Sequence, residues 1–303
     1  MGRTFRLRRG AGYLAAILCG VVAVAYPHGA STPAIGARAA RPPITVRCGA
    51  SGGARMPEVC ASTVGPHPAA LVIDEQVGRV FVLNQGTARQ RGGVSVSILD
   101  AATGAVLRTT PVGQSPASLA VDARTHRVFV LSAGANASSA PGSARLTTLD
   151  ARTGRPLRSA SPGALSGPIA VAGRLGRLFA IKPVATGYRL AMLDATSLAI
   201  QQTSTLFYQP LALALDERHG RVFVVWTEGP YDEYGAVSVF DAATDAVIAP
   251  NKVDQEVGAQ PGAIVVDATG GFVFVAHQNN INSSGSPRLD GSVAVLAALN
   301  GGG

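Results

Sequence analysis

Charge is what this sequence has least of: 15% of its residues are charged, against roughly 25% in an ordinary soluble domain. Aromatic residues make up 5%, with a single tryptophan, and only three cysteines occur in 303 residues. No glycine recurs at every third position, which excludes a collagen-like chain. An apolar content of 47% argues against disorder. What is abundant is turn chemistry, with 36 glycines and 19 prolines. The composition therefore describes a folded, turn-rich, strand-rich protein, long enough for one large domain or two average ones.

A net charge of +8 suggests a nucleic-acid partner until its placement is considered. Arg3, Arg6, Arg8 and Arg9 fall in the first nine residues, where there is no acid, and Gly10 to Tyr26 carries no charge. Ala23-Val24-Ala25 then forms a small-x-small cleavage signature. This is the layout of a secretory signal peptide over residues 1–25, with an uncleaved membrane anchor as the rival reading. The segment holds four of the 26 basic residues and none of the 18 acids, and no basic run follows it. Nucleic acid is not expected as a partner, and a membrane only through this segment. The rest is expected to be extracellular, periplasmic or on the cell surface. Export also gives Cys48 and Cys60 a meaning, since an oxidising compartment would pair them as a disulfide. A metal or haem site there would want Cys-x-x-Cys or a neighbouring histidine, and the sequence has neither.

Residues 26–57 read as a linker and lead-in to a repeat. Pro68-Ala-Ala-Leu-Val-Ile-Asp74 is echoed by Pro116-Ala-Ser-Leu-Ala-Val-Asp122, Pro210-Leu-Ala-Leu-Ala-Leu-Asp216 and Pro261-Gly-Ala-Ile-Val-Val-Asp267, with a degenerate copy ending at Ala172. Five residues after each of these positions an apolar run begins whose third residue is Phe81, Phe129, Phe179, Phe223 or Phe274. A polar loop, a third alternating run, a turn such as Asp100-Ala-Ala-Thr-Gly104 and a fourth run complete the unit. The repeat positions 74, 122, 172, 216 and 267 are spaced by 48, 50, 44 and 51 residues. Four strands in roughly 40–50 residues is the size of a propeller blade. Helical repeats of that period are excluded by the period-two alternation and the β-branched and aromatic content. The expected fold is an all-β propeller over residues 58–297, followed by a tail over 298–303. The fifth repeat stops after its third strand, while residues 58–64 read as a surplus fourth strand. Five four-stranded blades closed by that N-terminal strand follow.

Gly-Arg-Val-Phe81-Val-Leu-Asn84, with Val-Ser-Ile-Leu-Asp-Ala-Ala-Thr-Gly and Val-Gly-x-x-Pro, resembles the YVTN-type β-propeller repeat of exported bacterial and archaeal proteins. The resemblance spans about residues 58–297, and the closing asparagine becomes Ser132, Lys182, Trp226 or His277 in later copies. It implies a propeller whose function is one of several: surface proteins, lactonase-like enzymes, amine dehydrogenase subunits. Shared fold does not choose among them.

The Asp–Arg spacings 74/79, 122/127 and 216/221 read as surface ion pairs across their own hairpins, each worth about 0–1 kcal/mol. No Gly-x-Ser-x-Gly elbow is present. His126 and His219 are expected on one rim, His67 and His277 on the other. On that second rim the loops between second and third strands, 84–92, 132–143, 182–187, 226–235 and 277–290, vary while the strands repeat, which is where binding usually lies. The richest pair supplies the candidate ligand-binding set: Trp226, Glu228, Tyr231, Asp232, Glu233, Tyr234, His277 and Asn279, with His67 expected nearby. The aromatics offer flat faces for a sugar or other amphipathic group. Glu228, Asp232, Glu233 and Asn279 offer oxygens that can hold calcium weakly, the one cofactor considered. The leading expectation is an exported binding or scaffold protein recognising a small ligand, glycan or protein through this rim. A lactonase- or lyase-like enzyme acting on a small ester or lactone is the alternative.

Overall fold

The computed structural model describes residues 62–86, 94–132, 144–206, 208–228, 234–249, 259–281, 287–288 and 292–297. Cys48, Cys60 and the segment 1–61 lie outside them. Every regular element among the described residues is a strand, and each repeat forms one antiparallel sheet. Blade 1 runs β1 (Pro68–Asp74), β2 (Arg79–Asn84), β3 (Ser95–Asp100), β4 (Val106–Pro111). Blade 2 runs β5 (Pro116–Asp122), β6 (Arg127–Ser132), β7 (Arg145–Asp150), β8 (Pro156–Ala160). Blade 3 runs β9 (Ser166–Ala172), β10 (Arg177–Val184), β11 (Gly187–Asp194), β12 (Ile200–Leu206). Blade 4 runs β13 (Gln209–Asp216), β14 (Arg221–Glu228), β15 (Tyr234–Asp241), β16 (Val247–Ala249). Blade 5 has β17 (Ala259–Asp267), β18 (Phe272–Ile281), the two-residue β19 (Pro287–Arg288) and β20 (Ser292–Ala297). This is a β-propeller of five blades. In blade 5, β20 is the third strand of the meander, and β19 pairs only with the far end of β18.

The repeat proline explains a shared irregularity. Proline has no N–H to give the ladder and is placed at strand starts or bulges. The register slips immediately after Pro68, Pro116, Pro210 and Pro261.

Blades pack on one another through four clusters built on one rule. The phenylalanine of each second strand enters the interface with the next blade. Phe81 and Ile98 meet Leu119, Val128 and Val130; Phe129 meets Ile169 and Leu178; Phe179 meets Leu213, Val222 and Val224; Phe223 meets Ile264, Val273 and Val275. Inner strands β1, β5, β9, β13 and β17 lie in succession, each against the next. Among the described residues no comparable packing joins β17 to β1. The two end faces show it: Leu71 is 50% exposed where its equivalent Leu119 is 6%, and Val293 and Val295 are 58% and 55% exposed where Val237 and Val239 are 2% and 4%.

Residues 58–61 fall outside the described part, and 62–64 are not in a strand. Ser62 nevertheless donates its hydroxyl to the carbonyl of Gly104 in the turn of blade 1. Thr110 of blade 1 makes the same bond to Gly154 of blade 2, and Ser204 of blade 3 to Asp245 of blade 4. Ser62 thus stands where the outer strand of a preceding blade would stand.

Two expected details are corrected. The loop expected at 182–187 is a tight hairpin, because β10 continues to Val184 and β11 starts at Gly187. The hairpin ion pairs do not form. Asp74, Asp122 and Asp216 are buried, because the turn N–H groups behind them need an acceptor. Asp74 Oδ1 accepts from the backbone of Gln76 and Val77, and Arg79 bonds Asp100 at 2.9 Å instead.

Candidate functional site

The five positions that begin as Asn84 and continue as Ser132, Lys182, Trp226 and His277 occupy one place in the fold. In blades 1, 2, 4 and 5 the residue stands opposite the repeat proline of the first strand, and in all five it is paired with the third strand. Asn84 donates its amide to Ser95 and Ser97. Trp226 Nε1 donates to Ser238 Oγ at 2.8 Å. The His277 ring bonds Ser292 Oγ, with Nε2 at 2.9 Å. In blades 1, 4 and 5 the position is a cross-strand tie, whereas in blade 2 the buried Ser132 hydroxyl has no hydrogen-bond partner among the described residues. The glycine of the Val-Gly-x-x-Pro join passes directly over it: a Cβ on Gly65 would fall 2.7 Å from Asn84 Cγ, and one on Gly113 2.9 Å from Ser132 Cβ.

This places the sequence-derived rim set differently. Trp226 is a strand residue, not a loop residue, and its ring is buried, stacked on Tyr208 with centroids 4.4 Å apart. His277 is likewise inside β18 and buried, and burial lowers its pKa below the ordinary histidine value. Both rings are buried in the fold because each strand runs further than its sequence pattern suggests. Glu228 and Tyr234 end and begin strands, and Asn279 lies within β18. Their side chains, and Tyr231, Asp232 and Glu233 entirely, are outside the described residues. His67 is exposed, with a left-handed backbone (φ 52°) and its carbonyl accepting Gln85 N–H. No hydrogen bond joins it to His277.

On the opposite rim, the turns between first and second strands carry the other two histidines, as expected. His219 Nδ1 lies 2.7 Å from Asp216 Oδ2 in its own turn. His126 takes the left-handed position that Gly78, Gly176, Gly220 and Gly271 fill in the other blades. Its Nδ1 reaches Asp74 Oδ2 of blade 1 at 3.1 Å. Among the described residues no group of three or more His, Cys, Asp or Glu could hold a metal ion.

Between the inner strands of all five blades lies a cavity of about 760 Å³. Its wall is apolar, from Val72, Leu119, Val171, Leu213 and Ile264 among others. Its charged groups gather at the mouth formed by the first-to-second-strand turns. Arg124, Arg174 and Arg218 stand there at the same turn position in blades 2, 3 and 4, with Gln76 and Thr269 at that position in blades 1 and 5. Glu75 and Glu217 share the mouth. Arg124 Nη1 donates to Gly173 O at 3.1 Å, across the blade boundary. The Glu217 carboxylate accepts the Arg174 backbone N–H at 2.6 Å. Reading the sequence missed these arginines. The signal was there, an arginine two residues after positions 122, 172 and 216, but only the turn geometry directs them to one opening.

No family model matches the sequence, and no curated protein matches it. Solved structures resemble it in shape. One is hydrazine synthase of Kuenenia stuttgartiensis, with a TM-score of 0.58 and 15% identity over 76% of this chain and 60% of that one. Another is the Dos1 propeller, with a TM-score of 0.47 and 15% identity over 66% of this chain and 50% of that one. The chain thus spans less than two thirds of the length of either, and the likeness is one of fold.

Proposed function

We propose that this chain is an exported propeller of the YVTN-repeat kind that holds a small ligand in its central cavity. The cavity carries the reading: every blade contributes to its wall, and about 760 Å³ is within the roughly 300–1,000 Å³ of small-molecule sites. An apolar wall with polar groups confined to one end is the usual chemistry of such a site. The channel is preferred to the variable rim because Trp226, the aromatic on which a rim site would depend, already has Tyr208 and Ser238 as partners.

Plugging the mouth tests the assignment. Ala123 and Ala268 line it from turns and belong to none of the inter-blade clusters, so Ala123→Trp with Ala268→Trp fills the opening while leaving those clusters' residues unchanged. The unmodified protein should bind Nile red, a neutral apolar dye, saturably with a rise in fluorescence, and the plugged variant should lose most of that rise at an unchanged melting temperature. Full dye binding by a folded plugged variant would place the site elsewhere. Export is supported by Arg3, Arg6, Arg8 and Arg9, the uncharged run after them and Ala23-Val24-Ala25. Intact-mass measurement on secreted protein should find a chain starting near Tyr26; retention of the arginine-rich segment would refute cleavage.

A further inference from the structure

We infer that the cavity selects an amphipathic anion, a ligand with one anionic headgroup on an apolar body, bound with its headgroup among Arg124, Arg174 and Arg218. The inference rests on the channel being the ligand site and adds the class of ligand. Its ground is the asymmetry of charge along the cavity. The charged lining residues Glu75, Asp122, Arg124, Arg174, Glu217 and Arg218 all sit in or at the start of the turns at one end. The rest of the wall, through Ala120, Ile169, Ala170, Leu211 and Ala212, is apolar but for Ser118, whose hydroxyl is donated to Gly167 O. A ligand entering here meets charge at one end and hydrocarbon along its length, so a one-headed amphiphile is oriented by the wall alone.

The sign follows from which charged groups still have hydrogen-bonding capacity to offer. Asp122 is buried and accepts from Arg124 N, Thr125 N and the Thr125 hydroxyl. Glu217 is engaged by the Arg174 backbone. None of the three arginines takes part in an ion pair among the described residues. Arg124 is steadied by its bond to Gly173 O, and guanidinium groups present planar forks of donors suited to carboxylate or phosphate. Glu75, Asp122 and Glu217 match the three arginines in formal charge, so what favours an anionic headgroup is the set of guanidinium donors left unused, set against carboxylates of Asp122 and Glu217 that already accept hydrogen bonds, and not a net positive charge. Repetition of the turn in successive blades brings the arginines to one opening, so the headgroup can bridge blades instead of resting on one.

Three probes of equal tail length separate headgroup from tail: octanoate, octan-1-ol and octylammonium, each titrated calorimetrically into the full chain below its micellar concentration. Octanoate should bind at least about tenfold more tightly than the other two, with an advantage that shrinks as salt is raised. In Arg124→Gln/Arg174→Gln/Arg218→Gln the advantage should vanish while octanol affinity stays. Arg174→Gln/Arg218→Gln keeps the Arg124 bond to Gly173 and should lose most of the advantage, which covers the case in which the triple variant does not fold. Equal binding of all three probes would overturn the anion and leave the channel reading standing. An octanoate advantage that survives in a folded triple variant would overturn the arginine site. Binding of none would overturn both readings.

Discussion

Phe129→Ala is expected to cost about 3–5 kcal/mol of stability, and Phe274→Ala well under half as much, although the two residues occupy the same position in the repeat. Phe129 is fully buried between blades 2 and 3, among Ile169, Leu178 and Ala180. Removing it leaves a cavity between two sheets that cannot collapse independently. Phe274 projects from blade 5 on the side where no further blade packs among the described residues, beside the exposed Val293 and Val295, with its ring centroid 6.5 Å from that of Phe272. Its truncation removes area that is already partly in water. Denaturant melts of the two variants, with Phe81→Ala and Phe179→Ala alongside, measure the difference. Equal losses for Phe129→Ala and Phe274→Ala would show that in solution the Phe274 face is covered as fully as the other four, as it would be if blade 5 closed against the Leu71 face of blade 1.

Asp245→Gly should stabilise the protein near pH 7.5 by about 2–2.5 kcal/mol. The residue sits at the left-handed position closing the β15–β16 turn (φ 57°), where Gly104 and Gly154 stand in blades 1 and 2. Its side chain is buried, neither carboxylate oxygen accepts a hydrogen bond while the neighbouring Ser204 hydroxyl is donated to the Asp245 carbonyl, and burial, opposed by that hydroxyl, pushes its pKa up from 3.8 to about 6. A rise of that size corresponds to about 3 kcal/mol of lost stability once the group is ionised, from which the added chain entropy of glycine subtracts about 0.5–1 kcal/mol. The sign runs one way. Below pH 3.8 the carboxyl is protonated in both folded and unfolded chains and costs nothing by ionisation. Between 3.8 and about 6 the unfolded chain gives up its proton first, so native stability falls as pH rises, and above that the penalty is constant. The variant's advantage should therefore grow across this window and level off. An advantage equally large at pH 3.5 would trace to backbone strain instead of charge, and none at pH 7.5 would mean that the carboxylate has a partner in solution.

The aspartates that open this same turn in blades 1 to 4 behave oppositely. Asp100, Asp194, Asp150 and Asp241 each accept two backbone N–H groups and a hydroxyl from Thr103, Ser197, Thr153 or Thr244. At Asp100 the Thr103 hydroxyl, and at Asp194 the Ser197 backbone, lead in holding the carboxyl below its ordinary pKa. At Asp150 and Asp241 burial is the largest influence and pushes upward, but the same hydrogen bonds together outweigh it. A carboxylate at the head of this turn has three donors on one oxygen, and the one at its foot in blade 4 accepts none.

The repeat alone determined the architecture. Alternation with period two, the aspartate turns and a unit of 44 to 51 residues specify four-stranded blades because strand pairing within a blade is local and each turn carries its own chemistry. The recurrence of one phenylalanine in each second strand was legible for the same reason. Which polar residues are free was not, because that depends on contacts the one-dimensional pattern does not contain. Trp226 and His277 read as loop residues until their strands were seen to continue past them and Ser238 and Ser292 to stand opposite. Asp74 reads as the partner of Arg79, yet the turn donors and a histidine from the next blade take it first. Arg124, Arg174 and Arg218 are scattered over nearly a hundred positions of sequence. They meet at one mouth only because each blade repeats the same turn beside the channel, and that convergence belongs to the tertiary structure alone.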